Sequence, residues 1–147
     1  MHRPLPEIAA DLASLSASDF DYANTEARGW EHLHALCNEI RAINDPSAAA
    51  PLLFGIMERL DGVDLGSPGP LVHTLEAWSD GYEHMLQQSL RRKPTPLSVL
   101  MVNRLLNARP ANHAQWMALL QSVLAHPEAT TATKEAAERF IAYQARH

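Results

Sequence analysis

Two histidines and a set of carboxylates recur at helical spacing in the middle of the chain: His73, Glu76, Asp80, Glu83 and His84, with Gln87 beside them. At about 100° per residue these side chains gather on one side of a helix. Leu71, Leu75, Trp78, Tyr82, Met85 and Leu86 gather on the other, provided that Gly81 does not break the helix. Imidazoles and carboxylates are the ligands that zinc or a non-haem metal takes, and Asp80 and His84 stand one turn apart. His73 and His84, however, are separated by ~16 Å of helix, too far to share an ion. The set therefore reads as an acidic face, either solvated or turned to a partner. No metal and no other cofactor is expected.

Other catalytic arrangements fare no better. His32 and His34 cannot share a helix face, which removes a ligand pair. Gly66-Ser67-Pro68-Gly69 lacks the spacing and the preceding strand of a nucleophile elbow, and it lacks the lysine of a phosphate-binding loop. Arg91-Arg92-Lys93 meets the negative end of a helix dipole and has no neighbouring aromatics on which bases could stack. The single cysteine, Cys37, falls on an apolar helix face. No enzymatic activity is expected from these residues.

A different chemistry suits residues 16–24, Ser-Ala-Ser-Asp-Phe-Asp-Tyr-Ala-Asn. Here Phe20 and Tyr22 alternate with Asp19 and Asp21. Aromatic anchors flanked by acids fit docking to a basic protein site. The same pattern also fits a loop whose aromatics cover adjacent helices.

The elements that must position these residues are helical. Trp30, Leu33, Leu36, Cys37, Ile40 and Ile43 recur three or four apart, as one helix face requires. Leu52, Leu53, Ile56, Met57 and Leu60 repeat the pattern, as do Trp116, Leu119, Leu120, Val123 and Leu124. No alternating β-branched run competes. The spacing predicts helices near 6–15, 25–43, 46–61, 69–91, 96–108, 111–125 and 132–145. Asp45-Pro46 and Thr95-Pro96 each set a capping side chain before a proline at the first helical position. Gly62–Gly69 is a loop rich in helix breakers. Short connections favour antiparallel neighbours, so the last six helices should form three hairpins. The expected fold is all-α, either a short HEAT-like solenoid or a compact helical bundle. A single domain is expected over residues 1–147, with 1–24 as a less regular arm.

One helix differs from the rest. Leu97, Val99, Leu100, Met101, Val102, Leu105 and Leu106 cover almost the whole circumference of 97–107, which should make it central and buried. Asn103 and Asn107 then lie on or near a packed face, and their amides need partners, expected in the Gly66–Pro70 loop or at a helix end. Arg104 should reach a carboxylate at the margin. These three read as ties that specify the fold.

Bulk properties agree with a folded protein: 147 residues, 46% apolar and 20% charged. No apolar run approaches the ~18 residues of a membrane span, and the first residues lack the apolar core of a secretory signal. One cysteine fits a reducing cytosol. The net charge of −5 conceals an asymmetry. Residues 1–90 carry 14 acids and 4 bases, whereas residues 91–147 carry 3 acids and 8 bases. The acidic portion argues against a nucleic-acid groove and suits a basic partner.

The segments Pro70–Glu76 (PLVHTLE) and Arg91–Asn107 (RRKPTPLSVLMVNRLLN) resemble a family of small bacterial immunity proteins, cytoplasmic antidotes to polymorphic or contact-delivered toxins. The stretch Leu65–Asn107 that carries the resemblance is about a third of the chain. The resemblance implies a cognate protein toxin as partner, bound so that its active or an adjacent surface is occluded. His73 and Glu76 lie within the resembling part, where they either hold the Gly66–Pro70 loop or touch the toxin. The expected contacts are Asp19, Phe20, Asp21 and Tyr22, then Glu76, Asp80 and Glu83. The rival reading is a HEAT-like scaffold or adaptor that binds a peptide or helix. A third, a helical metalloenzyme, lacks ligand pairs.

Overall fold

The computed structural model describes residues 3–43, 46–78 and 81–146. Among them the chain is all-α, with eight α-helices, three short 3-10 turns and no strand. None of these helices is long and apolar enough to cross a membrane. The chain divides into two compact units, Met1–Met85 and Leu86–His147.

In the first unit, α1 (Leu5–Ser14) and α2 (Gly29–Arg41) pack together, while α3 (Ala50–Arg59) and α4 (Gly69–Glu76) complete the layer. The face predicted for α2 is the core face, with Leu33, Leu36, Cys37 and Ile40 all buried. Burial pushes the Cys37 thiol up, so it stays neutral and inert. Ile8 and Leu12 anchor α1, and Arg59 caps that helix by donating to the carbonyls of Leu12 and Leu15. At its other end Arg3 forms a two-pronged pair with Glu39 and reaches Asp11 at 2.9 Å.

In the second unit, α6 (Pro96–Asn107), α7 (His113–Ser122) and α8 (Thr131–Ala145) pack on one another, and α6 with α8 is the most extensive pairing. Trp116, Leu120, Val102, Leu106 and Ala137 are buried there. The Thr95-Pro96 start is realised as predicted. The Thr95 hydroxyl accepts from the Ser98 N–H, the Ser98 hydroxyl accepts from the Thr95 N–H, and Pro96 occupies the first turn.

Several expectations are corrected. The helix expected over 69–91 is two helices, α4 and α5 (Tyr82–Arg92), and Ala77, Trp78 and Gly81 lie outside both. A Cβ at Gly81 would overlap the Trp78 ring. Gly81 thus lets that ring lie against bare backbone. Pro46 does not open a long helix: it begins a 3-10 turn, and α3 starts at Ala50 with Pro51 in its first turn. Asp45 lies outside the described residues. Three successive hairpins are not the packing scheme, since α2 packs mainly on α1 and α4, and α6 contacts α8 as well as α7. Leu124, expected on the apolar face of α7, is exposed. The helix tightens to a 3-10 turn at Val123–Ala125, and the shorter period rotates Leu124 outward. In α6, Leu100 and Leu105 are half-buried, so the apolar circumference is not wholly covered.

Candidate partner-binding surface

Residues 16–31 build their surface from local hydrogen bonds upward. The Asp19 carboxylate accepts from the Ser16 N–H at 2.8 Å and closes a 3-10 turn over Ala17–Phe20. This turn lies so close to α2 that a Cβ on Gly29 would be 2.5 Å from the Asp19 carbonyl oxygen. Only glycine fits there. The loop beyond is stitched twice: Asp21 Oδ1 accepts from the Ala23 N–H and Asn24 Oδ1 accepts from the Glu26 N–H. Such side-chain turns hold a loop without regular structure.

The two aromatics of the segment part company. Phe20 is buried and meets the Trp30 ring edge-on, with centroids 5.4 Å apart. Tyr22 is 74% exposed, yet its ring stacks on Trp30 at 4.6 Å. Its hydroxyl donates to Asp64 Oδ2 at 2.8 Å. Trp30 Nε1–H donates to the Asp64 backbone carbonyl at 3.0 Å, and Asp64 Oδ1 accepts from the Gly66 N–H. Asp64 therefore fastens Tyr22, Trp30 and the start of the glycine loop at one point. Its hydrogen bond holds the Tyr22 phenol above the usual tyrosine range, because ionisation would remove the proton that the phenol donates to Asp64.

The electrostatics of the surface are one-sided. Residues 16–31 together with Asp64 carry five acids and one base, Arg28. Arg28 approaches Glu31 only at 3.9 Å, both side chains being largely exposed. Asp21 and Asp64 are exposed, and Asp19 is half-buried. The arrangement is an aromatic plate held by stacking and one hydrogen bond and rimmed by carboxylates.

The remaining predicted residues lie elsewhere. Glu76 ends α4 and Glu83 stands in the first turn of α5, both half-buried, so the expected single acidic stripe is divided between two helices. Asp80 lies outside the described residues. Among those residues no three His, Cys, Asp or Glu side chains gather closely enough to hold a metal. His73 is exposed on α4. The Gly66–Pro70 loop receives its described side-chain bonds from Asp64, and from the Thr74 hydroxyl, which donates to the Pro70 carbonyl at 2.6 Å.

Asn103 is buried on α6 as expected, but its carbonyl oxygen is met by a side chain: Gln144 Nε2 donates to it at 2.7 Å. The same nitrogen donates to Asn107 Oδ1 at 2.9 Å, and Asn107 is exposed rather than packed. Of the two partners expected for these amides, the Gly66–Pro70 loop or a helix end, these bonds use a helix end, since Gln144 lies in the last turn of α8, and they use its side chain. Gln144 bridges two positions one turn apart on α6 and ties α8 to it. Arg104 is half-buried on the same helix.

Sequence reasoning missed Trp30 and Asp64 as parts of the surface. Trp30 scored as one more apolar position on α2, which conceals that it is half-exposed and carries Tyr22. An aspartate two residues before a glycine signals turn chemistry, but nothing local points to a tyrosine 42 positions away.

Comparison with family models, with curated proteins and with solved structures found no match.

Proposed function

We propose that this chain is an immunity protein that binds a cognate bacterial toxin in the cytoplasm, and that the toxin docks on the surface centred on Tyr22. The resemblance of Pro70–Glu76 and Arg91–Asn107 to immunity proteins supplies the class of partner. The exposed, prearranged Tyr22 supports the docking position. An aromatic already held by stacking and one hydrogen bond loses little freedom when a partner covers it, and tyrosine is among the side chains that dominate interface energies. The carboxylates around it would accelerate encounter with a basic toxin and disfavour acidic competitors. Inhibition then follows from occlusion of the toxin's active or neighbouring surface, with no chemistry performed by this chain.

The test is protection. The toxin encoded beside this gene should be tolerated when co-expressed with the wild-type chain. It should kill when Tyr22→Ala and Asp21→Lys are combined in a chain that still folds. Protection unchanged by that pair removes the Tyr22 surface from the account. Absence of any neighbouring toxin, together with specific binding of an extended or helical peptide, replaces immunity by the adaptor reading.

A further inference from the structure

The unit Leu86–His147 holds a cavity of its own. A half-open cavity of about 620 Å³ is lined by Asn107, Arg109, Pro110, His113, Tyr143 and Gln144, over an apolar floor at Leu106. A cavity of that volume is in the range of small-molecule and side-chain sites. No lining residue is acidic. It contains one permanent cation, an imidazole, a phenol and two amides. The Gln144–Asn107 bond orders the amides: Gln144 Nε2 spends both protons on Asn103 and Asn107. Gln144 is left to offer its carbonyl oxygen and Asn107 to offer its N–H donors.

The backbone adds an independent sign. Arg109 follows the α6 C-terminus with φ of 53°, the one non-glycine residue with positive φ among those described. Helices commonly end on such a residue, but glycine is the residue that fits it without a Cβ penalty. The cap is also incomplete. Arg109 N–H donates to the Leu106 carbonyl at 2.9 Å, while the next residue is Pro110, which has no N–H to close the second bond. An arginine kept where glycine fits better, with its side chain at the cavity, exchanges backbone ease for a guanidinium at that point.

We infer that this cavity binds a peptide carboxylate, with Arg109 as its two-pronged partner. A guanidinium presents paired donors that match a carboxylate. A single fixed cation balances one negative charge, whereas a doubly charged phosphate calls for more. The Asn107 donors and the His113 ring would bond the second lone pairs, and Gln144 Oε1 accepts from a peptide N–H beside the acid. The carboxylate comes from an acidic side chain or from a chain end.

The experiment is a titration of the full-length, isotope-labelled chain followed by NMR. The probes are acetyl-Gly-Glu-amide, its glutamine counterpart acetyl-Gly-Gln-amide, acetyl-Gly-Gly with a free carboxylate, and inorganic phosphate. Saturable shifts at Arg109, His113 and Gln144 are expected with a carboxylate peptide, at least about 10-fold stronger in affinity than with the glutamine peptide. The two carboxylate peptides separate the side-chain source from the chain-end source. Arg109→Gly should lose the response while raising the melting temperature, because glycine relieves the positive φ. Loss of binding in a more stable protein cannot be unfolding. Equal response to glutamate and glutamine peptides, preference for phosphate, or undiminished binding by Arg109→Gly each overturns the assignment.

Discussion

Tyr22 Oη lies 2.8 Å from Asp64 Oδ2, joining two loops that are 42 residues apart in sequence. Through this bond an exposed aromatic ring acquires a fixed orientation on Trp30. A tyrosine on a free loop would cover many orientations, and ordering it would oppose any association that used it. Here the protein itself has done the ordering.

The bond gives Tyr22 a distinctive alkaline titration. Its proton is retained above the ordinary tyrosine range because Asp64 accepts it. For an acid with a raised folded pKa, the stabilisation is complete below the unfolded pKa and is lost as pH rises through the folded value. The contribution should therefore persist at neutral pH and fade only in strong alkali. Tyrosinate absorbance should show Tyr22 titrating late, and Asp64→Asn should bring its titration down. If Asp64→Asn leaves the tyrosinate titration unchanged, the bond does not persist in solution.

Gly29→Ala should loosen the surface without touching an exposed residue. The new methyl would meet the Asp19 carbonyl at 2.5 Å and must push the Ala17–Phe20 turn away from α2. Overpacking of this kind costs about 1–3 kcal/mol. Denaturant unfolding should report the loss, and Tyr22–Trp30 stacking should weaken with it in near-ultraviolet circular dichroism. An unchanged midpoint and spectrum would show that the turn yields freely.

Core truncation in α6 should discriminate between neighbours. Leu106 is 1% exposed, so Leu106→Ala should cost about 2–5 kcal/mol. Leu105 is half-buried, and Leu105→Ala should cost clearly less. Paired denaturation curves check the order, and a reversed order contradicts the packing of this helix.

The parts of the fold legible in sequence are those with local causes. Thr95, Pro96 and Ser98 define the start of α6 among themselves, and the spacing of Leu33, Leu36, Cys37 and Ile40 suffices to locate the buried face of α2. The break before α5 is local as well, at the Gly81 that could interrupt the helix, but helical periodicity does not report that the Trp78 ring fills the space where a Cβ would stand. Phe20 and Tyr22 illustrate a non-local limit within the site. Both are aromatic, both are flanked by acids, and only tertiary contacts send one inward and leave the other on the surface. Asn103 was legible as a buried amide, while its partner Gln144 lies 41 residues away on α8.

In the proposed function Tyr22 anchors a basic toxin and the acids around it steer the encounter. Its most direct measurement is the binding kinetics of the toxin encoded beside this gene, at low and raised salt, against wild-type, Tyr22→Ala and Asp21→Lys chains. Loss of the anchor should act on departure, so Tyr22→Ala should speed dissociation by at least about 30-fold, the equivalent of a hot spot of 2 kcal/mol. Loss of the rim charge should act on arrival: Asp21→Lys should slow association and flatten its salt dependence. Rates for both variants equal to the wild-type rates would place the toxin elsewhere on the molecule and contradict the account.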